Sequence, residues 1–124
     1  MPFADLHTHS SASDGTYGPD HIARLAARTD GLRVISITDH DSLAALGAAA
    51  LSCDAHGVDF VCGVEITTRY DQRTVHMLGY FIDPQSPVLG DYLDANRQRR
   101  ARRVYAMADL LQQHGYPICA DDLR

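Results

Sequence analysis

The stretch Asp5-Leu6-His7-Thr8-His9, followed at once by Ser13-Asp14-Gly15, decides how the rest of the chain is read. Phe3 to His9 has the composition of a short strand, and residues two apart on a strand share a face. Asp5, His7 and His9 therefore project together, with Leu6 and Thr8 on the other side. Two imidazoles and a carboxylate on one face, with Asp14 at the following turn, form a cluster of nitrogen and oxygen donors suited to a divalent metal.

Outward from that stretch, the chain alternates. Ser10 to Gly18 reads as a loop. Pro19 suits a first helical position and Asp20 the first turn, so a helix runs to about Thr29 and stops at Asp30-Gly31. Leu32 to Thr38, with Val34, Ile35 and Ile37, is a buried strand. It leads into Thr38-Asp39-His40-Asp41. Asp41 or Ser42 is placed to cap a helix from Leu43 to about His56, closed by Gly57. Val58 to Thr67 is a third, apolar strand interrupted by Glu65. Arg69 to Arg73 reads as a polar turn, Thr74 to Ile82 as a fourth strand, and Pro87 to His114 as one long helix with an apolar stripe. Strand–helix alternation implies right-handed crossovers and a mainly parallel sheet, with chemistry at the strands' carboxyl ends. His7, His9, Asp39, His40 and Glu65 fall there. His76 lies early in the fourth strand, which accordingly runs antiparallel or pairs as a hairpin with the third.

Composition sets limits. The chain has 124 residues and a net charge of −5, which argues against general nucleic-acid coating. It contains no Lys, which excludes a Lys nucleophile and a Walker-type phosphate loop. Glu65 is its only Glu, and an unpaired carboxylate buried in an apolar strand is costly. Cys53, Cys62 and Cys119 have no paired spacing and read as packed free thiols. With no secretory leader and no apolar run of membrane-spanning length, a cytoplasmic location is expected.

Asp-x-His-x-His, Ser-Asp-Gly, Thr-Asp-His-Asp, Gly-Val-Glu and Val-His-x-Leu-Gly-Tyr occur in that order from Phe3 to Asp83. As a set they resemble the polymerase and histidinol phosphatase (PHP) superfamily. Within it, Asp14 and Asp83-Pro84 are similar to the branch that hydrolyses nucleoside 3′,5′-bisphosphates and trims RNA from its 5′ end. The resemblance implies an α/β fold, a distorted TIM-like (β/α)7 barrel, and two or three divalent ions: Mn, Zn or Fe, with Mg also compatible. By position, His7 and His9 would hold one metal, Asp14 and His40 a second, and Glu65 would bridge, with His76 on a third. Asp5, Asp39 and Asp41 would orient imidazoles from behind, or in Asp41's case cap a helix. Arg97 and Arg100 on the long helix are candidates for a substrate phosphate; otherwise the Arg run is a solvated face. His76 likewise reads as a ligand or as a satisfied core histidine.

The function implied is hydrolysis of phosphate esters of small nucleotides or RNA ends by a hydroxide bridging the metals. A non-catalytic metal-binding module and a histidinol-phosphate phosphatase are the alternatives. A barrel of this kind takes roughly 250 residues. The expectation is therefore the N-terminal half of a PHP barrel, with about four strands and three helices. Residues 1–84 would carry the metal-binding units, and 85–124 the long helix and the start of a helical insert. Strand edges and an apolar face would stay open, which fits a fragment of a longer protein, chains that associate to cover the face, or a short, inactive metal-binding domain.

Overall fold

In the computed structural model, which describes residues 1–118, the order is β1 (Phe3–Thr8), α1 (Pro19–Arg28), β2 (Leu32–Ile37), α2 (Leu46–His56), β3 (Asp59–Tyr70), β4 (Arg73–Tyr80) and α3 (Pro87–Gln113). The four strands form one curled half-barrel in the order β1-β2-β3-β4. β1, β2 and β3 pair in parallel, and β4 returns antiparallel along β3. Both ends of the sheet approach each other: the Tyr80 hydroxyl at the end of β4 donates to the Leu6 carbonyl on β1 at 2.9 Å. That curl allows side chains from the first and fourth strands to meet.

Helices cover one face. Ile35 of β2 packs with Ala23 and Ala26 of α1, Cys53 of α2 and Val58, while Ile37 packs with Ala45 and Ala49. Ile22 and Phe60 join both clusters. Small residues on the helices let them lie close to the branched side chains of β2. Strand alternation then turns Ser36 and Thr38 to the opposite face, inside the curl. Gly63 of β3 sits against them. A Cβ there would stand 2.3 Å from Ser36 Oγ and 2.8 Å from Thr38 Cγ2. Gly63→Ala should therefore lower stability by about 1–3 kcal/mol through overpacking, measured as a shift in the urea midpoint at unchanged slope. A variant as stable as the parent would show that the two strands can part at no cost.

Four boundaries differ from expectation. The third and fourth strands meet at a two-residue turn, Asp71-Gln72, both in the left-handed region with φ 46° and 63°. This primed geometry matches strand twist, so pairing continues to Tyr70 and Arg73 where a five-residue polar turn was expected. β4 ends at Tyr80, since Phe81 takes φ 54° and leaves the ladder. α2 begins at Leu46, three residues later than the Ala/Leu pattern suggests, and its N-cap Ala45 has no side-chain cap. Asp41 does not cap that helix: its φ of 49° turns the chain away, and its carboxylate is engaged elsewhere.

Cys53 is buried and Cys62 half-buried; neither is bonded, and burial pushes the Cys53 thiol pKa up, as for an inert packing residue. Cys119 and the terminal 121–124 lie outside the described residues. No helix among the described residues is long and apolar enough to cross a membrane. Apolar side chains are exposed on both edge strands of the sheet, among them Phe3 and Leu6 on β1 and Val75 and Met77 on β4.

Candidate metal centre

Glu65 is the hub. It lies on β3 with its side chain almost fully buried at the mouth of the curl. Its backbone extends the sheet by one parallel bridge to His40: the Glu65 N–H donates to the Asp39 carbonyl (3.2 Å), and the Asp41 N–H to the Glu65 carbonyl (2.9 Å). The Glu65 carboxylate gathers imidazoles from three strands. Oε2 stands 2.9 Å from His7 Nε2, 3.1 Å from His9 Nε2 and 3.8 Å from His40 Nδ1. Oε1 stands 2.7 Å from His76 Nδ1. His76 pairs with Thr67 across the hairpin, so it is the diagonal same-face neighbour of Glu65. Its early place in β4 is thus explained: an antiparallel strand starts where its neighbour ends.

Asp14 completes the group. Its carboxylate lies 3.3 Å from His9 Nδ1 and 3.6 Å from His40 Nε2. The six candidates His7, His9, Asp14, His40, Glu65 and His76 all converge. They make three overlapping triplets whose donor atoms lie within 4.8 Å of one another: His7-His9-Glu65, His9-Asp14-His40 and His40-Glu65-His76.

The residues fit divalent metal on their own chemistry. Nδ1 of both His9 and His40 is buried and lacks a hydrogen bond among the described residues, although buried polar groups ordinarily find partners. The four imidazoles stand in a row with neighbouring ring centroids 4.7–5.1 Å apart. Burial lowers the His40 pKa, with His9 and His76 adding to this and Glu65 and Asp14 opposing it. His40 is therefore neutral near pH 7, its lone pair free for a cation. Burial alone would raise the Glu65 pKa, but hydrogen bonds from His7 and His76 and the nearby His40 and His7 hold it below the ordinary carboxylate value. It presents an anion.

The three carboxylates expected behind the imidazoles do other work. Asp5 Oδ1 accepts from the His7 backbone N–H at 3.2 Å, next to an irregularity in β1 pairing between Asp5 and Thr8. Asp39 accepts from the Ser10 N–H (2.7 Å), the Ser10 hydroxyl (2.6 Å) and the Ser13 hydroxyl (2.6 Å), which ties down the loop bearing Asp14. Gly15 closes that loop against His9. A Cβ there would lie 2.1 Å from the His9 carbonyl oxygen, so Gly15→Ala should push Asp14 out of the cluster and weaken metal binding about tenfold or more. Titration calorimetry with Mn²⁺ reads this; unchanged affinity would remove Asp14 from the ligand set.

Asp41 anchors the long helix. Its buried carboxylate accepts from the Thr67 N–H (2.8 Å), Asn96 Nδ2 (2.8 Å) and an Arg100 terminal nitrogen (3.0 Å). Burial would raise its pKa, but the bonds from Thr67 and Asn96 and the Arg100 charge outweigh burial and hold it low.

Beyond Asp14, His40 and His76 the mouth opens into a cleft of about 980 Å³ between the β3–β4 hairpin and α3. Arg69, Arg99, Arg100 and Arg103 line it, with Thr67, Thr68, Gln72, Thr74, Tyr92 and Asn96. Arg100 thus lines the cleft, though it is also bonded to Asp41 and to Thr67 Oγ1. Arg97 turns inward to the Asp41 carbonyl and to Asp94, and is absent from the lining. Sequence reasoning passed over Arg69, Ser10, Ser13 and Asn96. Asn96 had a local signal: a short polar residue one helical turn before Arg100, on the same face.

Comparison with known proteins places this arrangement. The chain is 37% identical over 122 residues to a 3′,5′-nucleoside bisphosphate phosphatase of Chromobacterium violaceum, covering 98% of this chain and 42% of the relative. It is 32% identical over 117 residues to a 5′-3′ exoribonuclease of Haemophilus influenzae, covering 94% of this chain and 42% of the relative. A solved structure from Bifidobacterium adolescentis, described as a candidate metal-dependent phosphoesterase, superposes with a TM-score of 0.85 at 34% identity, covering 96% of this chain and 41% of that one. The chain thus spans about two fifths of the length of these relatives. The PHP domain model matches residues 5–116, a span that holds all six candidate metal-binding residues, and the chain belongs to the PHP family.

Proposed function

We propose that the protein is a metal-dependent phosphoesterase whose substrates are nucleoside bisphosphates or the phosphorylated 5′ ends of RNA. The observation that carries this reading is the convergence of four imidazoles and two carboxylates at the edge of an Arg-lined cleft. His7, His9 and Glu65 would hold one ion, His9, Asp14 and His40 a second, and His40, Glu65 and His76 a third. The mixed imidazole–carboxylate set suits Mn, Zn or Fe, and Mg is compatible. Bound there, the ions supply Lewis acidity and neutralise charge on a phosphate ester during hydrolysis.

The chain's own residues do the rest. Glu65, seated on a strand, keeps its carboxylate fixed among the imidazoles, so the donors need little rearrangement. Arg69, Arg99 and Arg103 bring positive charge to the cleft wall, and their planar guanidiniums match phosphate oxygens. Thr67 and Thr68 add hydroxyls on the hairpin side. The names of the two relatives favour phosphorylated nucleosides and RNA for this cleft.

The test, on the whole protein loaded with Mn²⁺, is release of inorganic phosphate from adenosine 3′,5′-bisphosphate or of nucleoside 5′-monophosphates from a 5′-phosphorylated oligoribonucleotide. Release that falls to background with a chelator and returns with added Mn²⁺ is expected. Metal demonstrably bound, with no release from either substrate, overturns the reading.

A further inference from the structure

We infer that Asp41 and Asn96 are positioning residues that set the rotation of α3, and through it the preference for substrates carrying a second anionic group. This rests on the phosphoesterase reading for the identity of the first group, the one at the metals.

The argument begins with how α3 is attached. Among the described residues, Leu93 and Ala108 are the apolar side chains it buries, whereas Val88, Tyr92, Val104, Tyr105, Met107 and Leu110 are exposed. Hydrogen bonds, being directional, fix a helix about its own axis more sharply than apolar contacts do. Asn96 is buried, and its amide is fully used. Nδ2 donates to Asp41 Oδ1 and to the Thr67 carbonyl, each at 2.8 Å, while Oδ1 accepts from Arg99. Asp41 receives Asn96, Arg100 and the Thr67 N–H, and its carbonyl takes Arg97 at 2.6 Å.

Two groups thus key the helix to the segment that also carries the metal-facing His40 and Glu65. The Asp41 N–H is bonded to the Glu65 carbonyl, and Thr67 is two residues along the same strand face. Helix residues advance 100° each, so a helix clamped at 96, 97 and 100 has its rotation determined. Arg99 and Arg103, one turn apart, then both line the cleft opposite Thr68, Gln72 and Thr74. A leucine at 96 could fill the same space, but it would bond neither the Asp41 carboxylate nor Arg99. Two arginines held in the cleft that Asp14, His40 and His76 also line would take a second phosphate and add little for a substrate with one.

Binding of adenosine 3′,5′-bisphosphate and of the two adenosine monophosphates to the natural-length protein tests this, by calorimetry, alongside steady-state KM and kcat. The parent should bind the bisphosphate at least about tenfold tighter than either monophosphate, as one retained charge-assisted phosphate contact allows. Asn96→Ala should bring that ratio close to one, chiefly through the bisphosphate KM. The double change Arg99→Ala/Arg103→Ala should do the same, and Asn96→Ala added to it should cost no more. Asp41→Asn keeps the shape and tolerates positive φ; it should lower the ratio in the same direction, which covers the case in which Asn96→Ala does not fold. A parent ratio near one overturns the inference. So does a ratio left intact by Asn96→Ala and Asp41→Asn when the arginine pair destroys it, or a loss that adds to theirs. A selective, variant-sensitive ratio without phosphate release would support the inference and reject the phosphoesterase reading.

Discussion

Glu65→Gln should abolish metal-dependent turnover and weaken divalent metal binding by more than about a hundredfold. The estimate follows from the effect of losing an outer hydrogen-bonding partner, about 10–100-fold, which a direct anionic ligand should exceed. Glutamine keeps the length and the β3 position but removes the charge. Its amide nitrogen has no lone pair for a cation, so Oε1 and Oε2 can no longer serve both the His7/His9 side and the His76 side. Two of the three donor triplets contain Glu65; the third, His9-Asp14-His40, survives. A residual single weak site, seen by calorimetry as a drop in stoichiometry, is therefore the expected remnant. Native affinity and stoichiometry in Glu65→Gln would mean that the imidazoles bind without the carboxylate.

Asp41→Ala should cost about 3 kcal/mol of stability, a large share of the 5–15 kcal/mol typical of a folded chain. The change strands the Thr67 N–H, the Asn96 amide and the Arg100 guanidinium at once. It also puts alanine at φ 49°, where Asp and Asn are better tolerated. The figure is set below the upper range for broken buried pairs because Arg100 is 40% exposed and partly screened. The effect is pH-dependent with a definite sign. The folded Asp41 carboxyl lies below its ordinary value of 3.8, so its contribution is complete above that value and fades as pH falls through the folded one. Parent and variant should differ most at neutral pH, and the difference should shrink only as pH falls below 3.8 through the lowered folded value, read in urea titrations. Equal midpoints at pH 7 would show that α3 is held by something other than Asp41.

Much of the architecture was readable from local pattern. Pro19 before Ile22, Leu25 and Ala26, the β-branched run at Val34–Ile37 and Gly57 after an Ala-rich helix each state their own element, because propensity, capping and periodicity act over a few residues; the buried side of the first helix nevertheless takes Ala23 and leaves Leu25 exposed. The hairpin was harder. Asp71 and Gln72 carry no glycine, and their positive φ values are imposed by the pairing of twelve-residue β3 with eight-residue β4. Asp41 differs from expectation for a similar reason: a carboxylate before an Ala-rich run suggests, with Ser42, a candidate N-cap, but its partners lie 26, 55 and 59 residues away.

The sequence by itself determined which side chains could bind metal, since His and carboxylate chemistry and strand alternation are properties of the residues and of the backbone repeat. It also determined that a lone Glu in an apolar strand needed partners. Only the tertiary structure decided that those partners come from β1, the end of β2 and β4 together, because the curl that brings Tyr80 to Leu6 is a sum of twist over four strands. The same holds for the arginines. Their charge is written in the chain, but whether each faces the cleft or folds inward depends on the rotation of α3, which long-range hydrogen bonds to Asp41 and Thr67 set.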